Sequence, residues 1–227
     1  MSDIDPDADA RRLAHESADN DPTGWFERLY AAAAEGRAIV PWDRGAPHPM
    51  FLEWAQTNRL AGRGSSAVVV GCGTGENAEF LSENGFTTVA FDISATAVQM
   101  AQARFPQSDV DYLVADLLDP PAAWEHAFDL VVEVFTVQAM PPRWHAVASL
   151  NTGLLVRPGG TLLVLASAAD TAPEPDTGPP WPLTREEIIA FGKGGLDLVG
   201  VDEVPVPADP SRRRWRAEYR RPPGSRT

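Results

Sequence analysis

With 227 residues, 44% of them hydrophobic, the chain fits one α/β domain with an appendage and has the apolar content for one sizeable core. No run approaches the ~18 uncharged apolar residues of a membrane span, the acidic opening lacks the basic-then-apolar order of a secretory signal, and the single Cys72 excludes an intrachain disulfide framework, so a cytoplasmic protein without membrane contact is expected. A net charge of −13 speaks against nucleic acid as a partner, since its phosphates would be repelled overall, and an acidic body suits a cationic ligand better than an anionic one.

Residues 1–22 hold seven acids against two arginines and read as an acidic tail, frayed or only partly helical. Thr23 is a plausible N-cap for a helix to Ala34, with Phe26, Leu29, Tyr30 and Ala33 at helical spacing, ended by Gly36 and Pro41. Pro41–Pro49 is a loop, because its three prolines fit neither a ladder nor a helix interior. Phe51, Leu52, Trp54, Ala55 and Leu60 suggest a further short helix. Residues 23–62 therefore read as a helical segment ahead of a core at 63–227, within a single domain.

From Ala67 the pattern alternates. Strands are predicted at 67–70, 89–92, 110–115, 128–134 and 161–166, with helices at 76–84, 95–105 and 143–156. Strands that are continuously apolar signal a parallel sheet covered on both faces. After a Pro/Asp/Gly-rich loop at 170–182 come a helix at 185–191 and strands at 196–206 and 213–220, close enough in sequence to pair as an antiparallel hairpin. Residues 211–227 carry seven arginines against one acid; the plain reading is an edge strand with an Arg-rich solvent face that discourages edge-to-edge pairing.

A strand followed by Gly71-Cys72-Gly73-Thr74-Gly75 and a helix sets backbone N–H groups and a helix N-terminus beside a ligand. A dinucleotide fingerprint needs a third glycine where this chain has Glu76, whose carboxylate would oppose a diphosphate; this disfavours a nicotinamide-dependent oxidoreductase. The tighter spacing fits adenosine bearing an amino-acid tail. Asp92 ends the next strand, where an acid accepts ribose hydroxyls in either ligand class, and Asp116 ends the third, where a carboxylate can accept from an adenine amino group or simply cap a turn.

These residues resemble the class I S-adenosylmethionine-dependent methyltransferases over about Ser66 to Ala166. The likeness includes Phe91-Asp92-Ile93-Ser94, Ala115-Asp116 and Leu155-Val156-Arg157-Pro158-Gly159-Gly160-Thr161, all in family order. The resemblance implies a Rossmann-like, seven-stranded, mostly parallel sheet with an antiparallel C-terminal hairpin and helices on both faces. It implies S-adenosyl-L-methionine as cofactor, held by Gly71, Cys72, Gly73, Gly75, Asn77, Asp92, Ile93, Asp116 and Leu117. The flanks, Phe26–Tyr30, Pro41–Gly45, Met140–Arg143, Gly178–Trp181 and Trp215–Arg221, look like the thiopurine, halide and thiol methyltransferase branch. That likeness puts Tyr30 and Trp42 near the cofactor's methionine portion, where aromatic faces attract a sulfonium, and implies a small-molecule acceptor. Trp25 and Trp54 read as packing residues.

Methyl transfer from a sulfonium is an in-line displacement in which the protein holds the nucleophile opposite the methyl and excludes water. Glu133, at the end of strand four, is expected to bind the cofactor's amino group or act as base, and His48 is the histidine best placed for a substrate contact. Phe135, Val137, Met140, Trp181 and Pro182 would line an acceptor pocket or pack the lid. No pair shows metal-ligand spacing. The competing reading is a non-catalytic protein that binds the same cofactor on the same fold.

Overall fold

The computed structural model describes residues 7–17 and 21–224. Its strands are β1 (Ser66–Val70), β2 (Thr87–Asp92), β3 (Asp111–Val114), β4 (Phe128–Val134), β5 (Val156–Ser167), β6 (Asp197–Val206) and β7 (Asp209–Arg220). They form one sheet in the order β3-β2-β1-β4-β5-β7-β6. β1 to β5 pair with one another in parallel, whereas β7 runs antiparallel to both β5 and β6. This is the seven-stranded, mostly parallel sheet with an antiparallel C-terminal hairpin that the resemblance implies.

Side-chain alternation divides the sheet's two faces. Val68, Val131, Leu162, Val164 and Ala217 point towards α6 (His145–Leu154) and α7 (Arg185–Ala190). Val69, Leu130, Val132, Leu163 and Leu165 point towards α3 (Pro49–Thr57), α4 (Glu76–Glu83) and α5 (Ala95–Arg104). A third apolar cluster joins α1 (Ala8–His15) and α2 (Gly24–Ala34) to Ala97 and Ala139, which lie just beyond the carboxyl ends of β2 and β4. The N-terminal helices thus roof the sheet edge where open α/β folds bind ligands.

Several expectations are corrected. Within the segment read as frayed or only partly helical, the helical part is α1 at residues 8–15, where Ala10 and Leu13 share a face that buries against Trp25 and Leu29; residues 1–6 and 18–20 lie outside the described residues. Thr23 makes no side-chain cap; Asp21 Oδ1 accepts the Gly24 amide at 2.8 Å instead. Pro141 and Pro142 delay α6, whose entry is a 3-10 turn at Pro142–Trp144. The Arg157–Gly160 turn is an irregularity inside a longer β5, where the register with β4 shifts between Phe128 and Leu130. The Arg-rich strand is not an edge. β7 is paired on both sides, and β6 forms the edge with Leu198 and Val199 exposed.

Position on β7 decides what each arginine meets. Arg216 bonds Asp202 of β6 and Glu53 of α3, and Arg213 bonds Glu203 and Asp170. On the same face as Arg216, Glu218 accepts the Trp54 indole N–H at 2.9 Å, pinning α3 across the sheet.

Candidate active site

After β1 the backbone passes through Gly73 at φ 55° and Gly75 at φ 99°, conformations that only glycine adopts cheaply. The chain thereby turns from strand into α4 within a few residues. Asp92, at the end of β2, spans this turn: its Oδ2 accepts the Gly73 amide at 3.0 Å and its Oδ1 the Ser94 amide at 2.9 Å. Burial raises its pKa to about 6, against the pull of those hydrogen bonds. Ser94 caps α5 through Ala97 N, and its hydroxyl donates to Glu27 of α2 at 2.6 Å. Thr96 donates its amide and hydroxyl to the same carboxylate. Burial opposes charge on Glu27, but the hydrogen bonds from Ser94 and Thr96 hold it below its ordinary pKa. A carboxylate at a helix N-terminus is also favoured by the helix dipole, so Glu27 ties the roof to the sheet.

The glycine turn, β-strand ends and roof enclose one cavity of about 270 Å³. Gly71, Cys72, Gly73, Asn77, Asp92, Ile93, Asp116 and Leu117 all line it, together with Tyr30 and Trp42. Trp42 Nε1 donates to the Tyr30 hydroxyl at 2.7 Å, and Trp42 meets Phe26 and Trp25 edge-on. A Cβ on Gly73 would come within 2.9 Å of that hydroxyl, so glycine is what brings the backbone up to the aromatic pair. Arg104 grips Asp43 with both terminal nitrogens, at 2.9 and 2.8 Å, and also pairs with Glu76, joining the Trp42 loop to the glycine turn. Asp116 Oδ1 accepts the Leu118 amide at 2.8 Å, so it caps a turn while also facing the cavity. Trp25 and Trp54 are packing residues.

Across the cavity stand Phe135, Met140, His48, Pro179 and Pro180. Phe135 has φ 60°, a left-handed conformation that is an outlier for a bulky residue. His48 caps α3, with Nδ1 accepting the Met50 amide at 3.3 Å, while its own amide donates to Asn77 Oδ1. Burial, Arg214 and Arg44 lower its pKa to about 4. It is neutral at pH 7 and a poor general base.

Five predicted residues do not line the cavity in the expected way. Strand alternation sends Glu133 to the α6–α7 face, where it is fully buried and its Oε1 accepts the Thr136 and Val137 amides at 2.7 and 2.9 Å. Gly75 shapes the turn but lies outside the lining, where a Cβ would collide with Tyr112. Trp181 packs away from the cavity, its indole donating to Pro175 O at 2.8 Å, and Val137 is core. Pro182 is likewise absent from the lining, where its neighbours Pro179 and Pro180 stand. Sequence reasoning missed Phe26, Gln138, Ser167, Arg44, Arg212 and Arg214, all of which face the cavity. The period-two spacing of Arg212 and Arg214 was the available signal. Among the described residues no group of three or more His, Cys, Asp or Glu could hold a metal ion, and no helix is long and apolar enough to cross a membrane.

The donor set tests the ligand class. Carboxylates of Asp92, Asp116 and Glu76 face the glycine-turn side, a poor setting for a diphosphate and a suitable one for hydroxyl and amino donors on a nucleoside. A protein-family model described as "Methyltransferase domain" matches residues 68–164, the span from β1 through β5 that builds this turn. The chain carries a methyltransferase domain on the class I, S-adenosylmethionine-dependent fold. Similar proteins include "Probable thiol methyltransferase 2" of Arabidopsis thaliana, 28% identical over 84% of this chain and 82% of that protein. Another is the "2-heptyl-1-hydroxyquinolin-4(1H)-one methyltransferase" of Mycobacteroides abscessus, 25% identical over 72% of each chain. Among solved structures, the N-methyltransferase NodS from Bradyrhizobium japonicum, in complex with S-adenosylhomocysteine, superposes with TM-score 0.65 at 20% identity, covering 86% of this chain and 99% of that one. The 1,6-didemethyltoxoflavin-N1-methyltransferase of Burkholderia thailandensis gives 0.62 at 17%, covering 86% of each chain. The methyltransferase uses S-adenosylmethionine and acts on a small-molecule acceptor.

Proposed function

We propose that this methyltransferase binds S-adenosylmethionine with its ribose on Asp92, its adenine beside Asp116 and Leu117, and its sulfonium under Tyr30 and Trp42. The methyl then faces Phe135 and Met140, and residues 23–62 act as a lid over the core from 63 onward. The supporting observation is the aromatic pair seated on Gly73, with Asp92 accepting that same residue's amide. Aromatic faces attract a sulfonium by roughly 0.5–2 kcal/mol.

The acceptor reading is a soft or already ionised nucleophile of the kind thiol methyltransferases take. Its support is that the two candidate bases among the described residues are ill suited: His48 is held near pKa 4, and Glu133 turns to the α6–α7 face of the sheet. The similarity to a probable thiol methyltransferase over most of both chains points the same way. The test is a panel of thiols, phenols and amines incubated with radiolabelled methyl donor, alongside calorimetric titration with S-adenosylhomocysteine. Methyl incorporation into thiols or ionised phenols is the expected result. Binding of the donor without turnover on any acceptor would return the chain to a non-catalytic, cofactor-binding role. Failure to bind at millimolar concentration would remove the donor assignment.

A further inference from the structure

In a chain with many more acids than bases, arginines find carboxylates easily, and Arg104, Arg157, Arg213 and Arg216 each do. Arg44, Arg212 and Arg214 do not. Among the described residues none of the three has a carboxylate within ion-pair distance, yet all three line the cavity. Arg212 and Arg214 sit two residues apart on β7 and so share a face, and Arg44 approaches from the loop that carries Trp42. Arg214 is partly buried, with its Cζ 5.4 Å above the Phe135 ring and its Nη1 3.5 Å from His48 Nε2. Burial first, and then its neighbours Arg44 and Arg212, lower its pKa from the usual guanidinium range.

The exposed Arg44 and Arg212 repel the partly buried Arg214, whose burial strengthens that repulsion. The arrangement is relieved when an anion enters. Guanidiniums bind carboxylates and other oxyanions through paired N–H donors, and the adjoining Phe135 ring offers a flat apolar surface. The opposite wall, with Asp92, Asp116 and Glu76, has the reverse sign. The cavity is therefore polarised, acidic by the glycine turn and basic at β7, which overrides the net acidity of the chain as a guide to the acceptor.

We infer that the acceptor is a small, planar organic anion, held with its charge among Arg44, Arg212 and Arg214 and its ring against Phe135. The inference rests on the proposed donor site. When the charge is on the nucleophile itself, its lone pair forms the new bond to the methyl carbon as the carbon–sulfur bond of the donor breaks. That bond's electron pair stays on sulfur, the two opposite charges cancel, and no proton has to move. When the charge is a carboxylate elsewhere on the ring, the arginines orient the acceptor.

The test uses the full chain saturated with S-adenosylhomocysteine and titrated by calorimetry. Benzoate is compared with its neutral isostere benzamide at one pH, and 4-nitrophenol is titrated on both sides of its ionisation. We expect at least tenfold tighter binding of the anion in one arm. The benzoate arm identifies a carboxylate-bearing acceptor and the nitrophenolate arm an ionised nucleophile. The preference should vanish in Arg212→Gln combined with Arg214→Gln, persist largely in Arg214→Lys, and shrink in 0.5 M salt as screening requires, on the order of a 5 Å Debye length. Equal binding of charged and neutral probes in both arms, or a preference that survives both glutamines in folded protein, overturns the inference. Absence of S-adenosylhomocysteine binding in the unaltered chain would instead refute the donor site, so the two failures are distinguishable.

Discussion

Glu133 holds Phe135 from behind. Its Oε1 accepts the Thr136 and Val137 amides and closes the chain around Phe135 at φ 60°, while its Oε2 is buried without a partner. The left-handed residue breaks the strand's alternation, so the phenyl ring turns to the cavity although the carboxylate two residues earlier faces the core. The ring then meets His48 at 5.0 Å and lies beneath Arg214. Glu133 is a positioning residue.

Burial raises the Glu133 pKa to about 7, above the ordinary 4.5. The folded state therefore holds a proton that the unfolded chain has released, and stability falls as pH rises between these values. Glu133→Gln keeps an acceptor for the two amides and does not titrate. Thermal denaturation should show the variant gaining on the parent by on the order of 1–3 kcal/mol between pH 5 and pH 8. A pH-independent difference between the two proteins would contradict the assignment.

Asp92 has a raised pKa of about 6 in the free protein, and accepting ribose hydroxyls requires its carboxylate form. Affinity for S-adenosylhomocysteine should be constant above pH 7 and fall by up to about tenfold per unit below pH 6. Asp92→Ala should bind one to two orders of magnitude more weakly, with a flat profile over that range. Calorimetry at four pH values decides it; a parent curve without the acidic decline would count against the ribose contact.

The indole of Trp42 is assigned to a cation. Trp42→Leu should therefore reduce affinity for S-adenosylmethionine more than for the uncharged S-adenosylhomocysteine, by about 2- to 30-fold in their ratio. Equal losses for both ligands would mean that Trp42 contributes packing alone.

Gly73→Ala places a methyl 2.9 Å from the Tyr30 hydroxyl on a backbone of positive φ. The expected cost is about 1–3 kcal/mol of stability, from strain in the turn, together with at least tenfold weaker donor binding. Denaturant unfolding and the same titration measure the two effects separately.

The parallel core was readable because its strands are apolar throughout, and β4 begins and ends where the sequence predicts. The donor wall was readable for a related reason: a glycine turn and a strand-ending acid are local features. What stayed hidden depends on direction or on distant partners. Glu133 has the right position but the wrong parity, and Trp181 is close in sequence to cavity-lining prolines yet turns to Pro175. α1 offers only a short apolar face, which acquires meaning against α2. The basic character of Arg212 and Arg214 was evident, but their destination required β7 to lie inside the sheet rather than at its edge.

Arg104 clamps the Trp42 loop to the glycine turn through Asp43 and Glu76 near the surface, whereas the sheet beneath is held by buried aliphatic side chains. The roof itself is held mainly by apolar packing, with Val40 and Trp42 against α2. Salt therefore weakens one latch at the rim, and only in part because its carboxylates are largely covered, while the closure as a whole shares the denaturant sensitivity of the core.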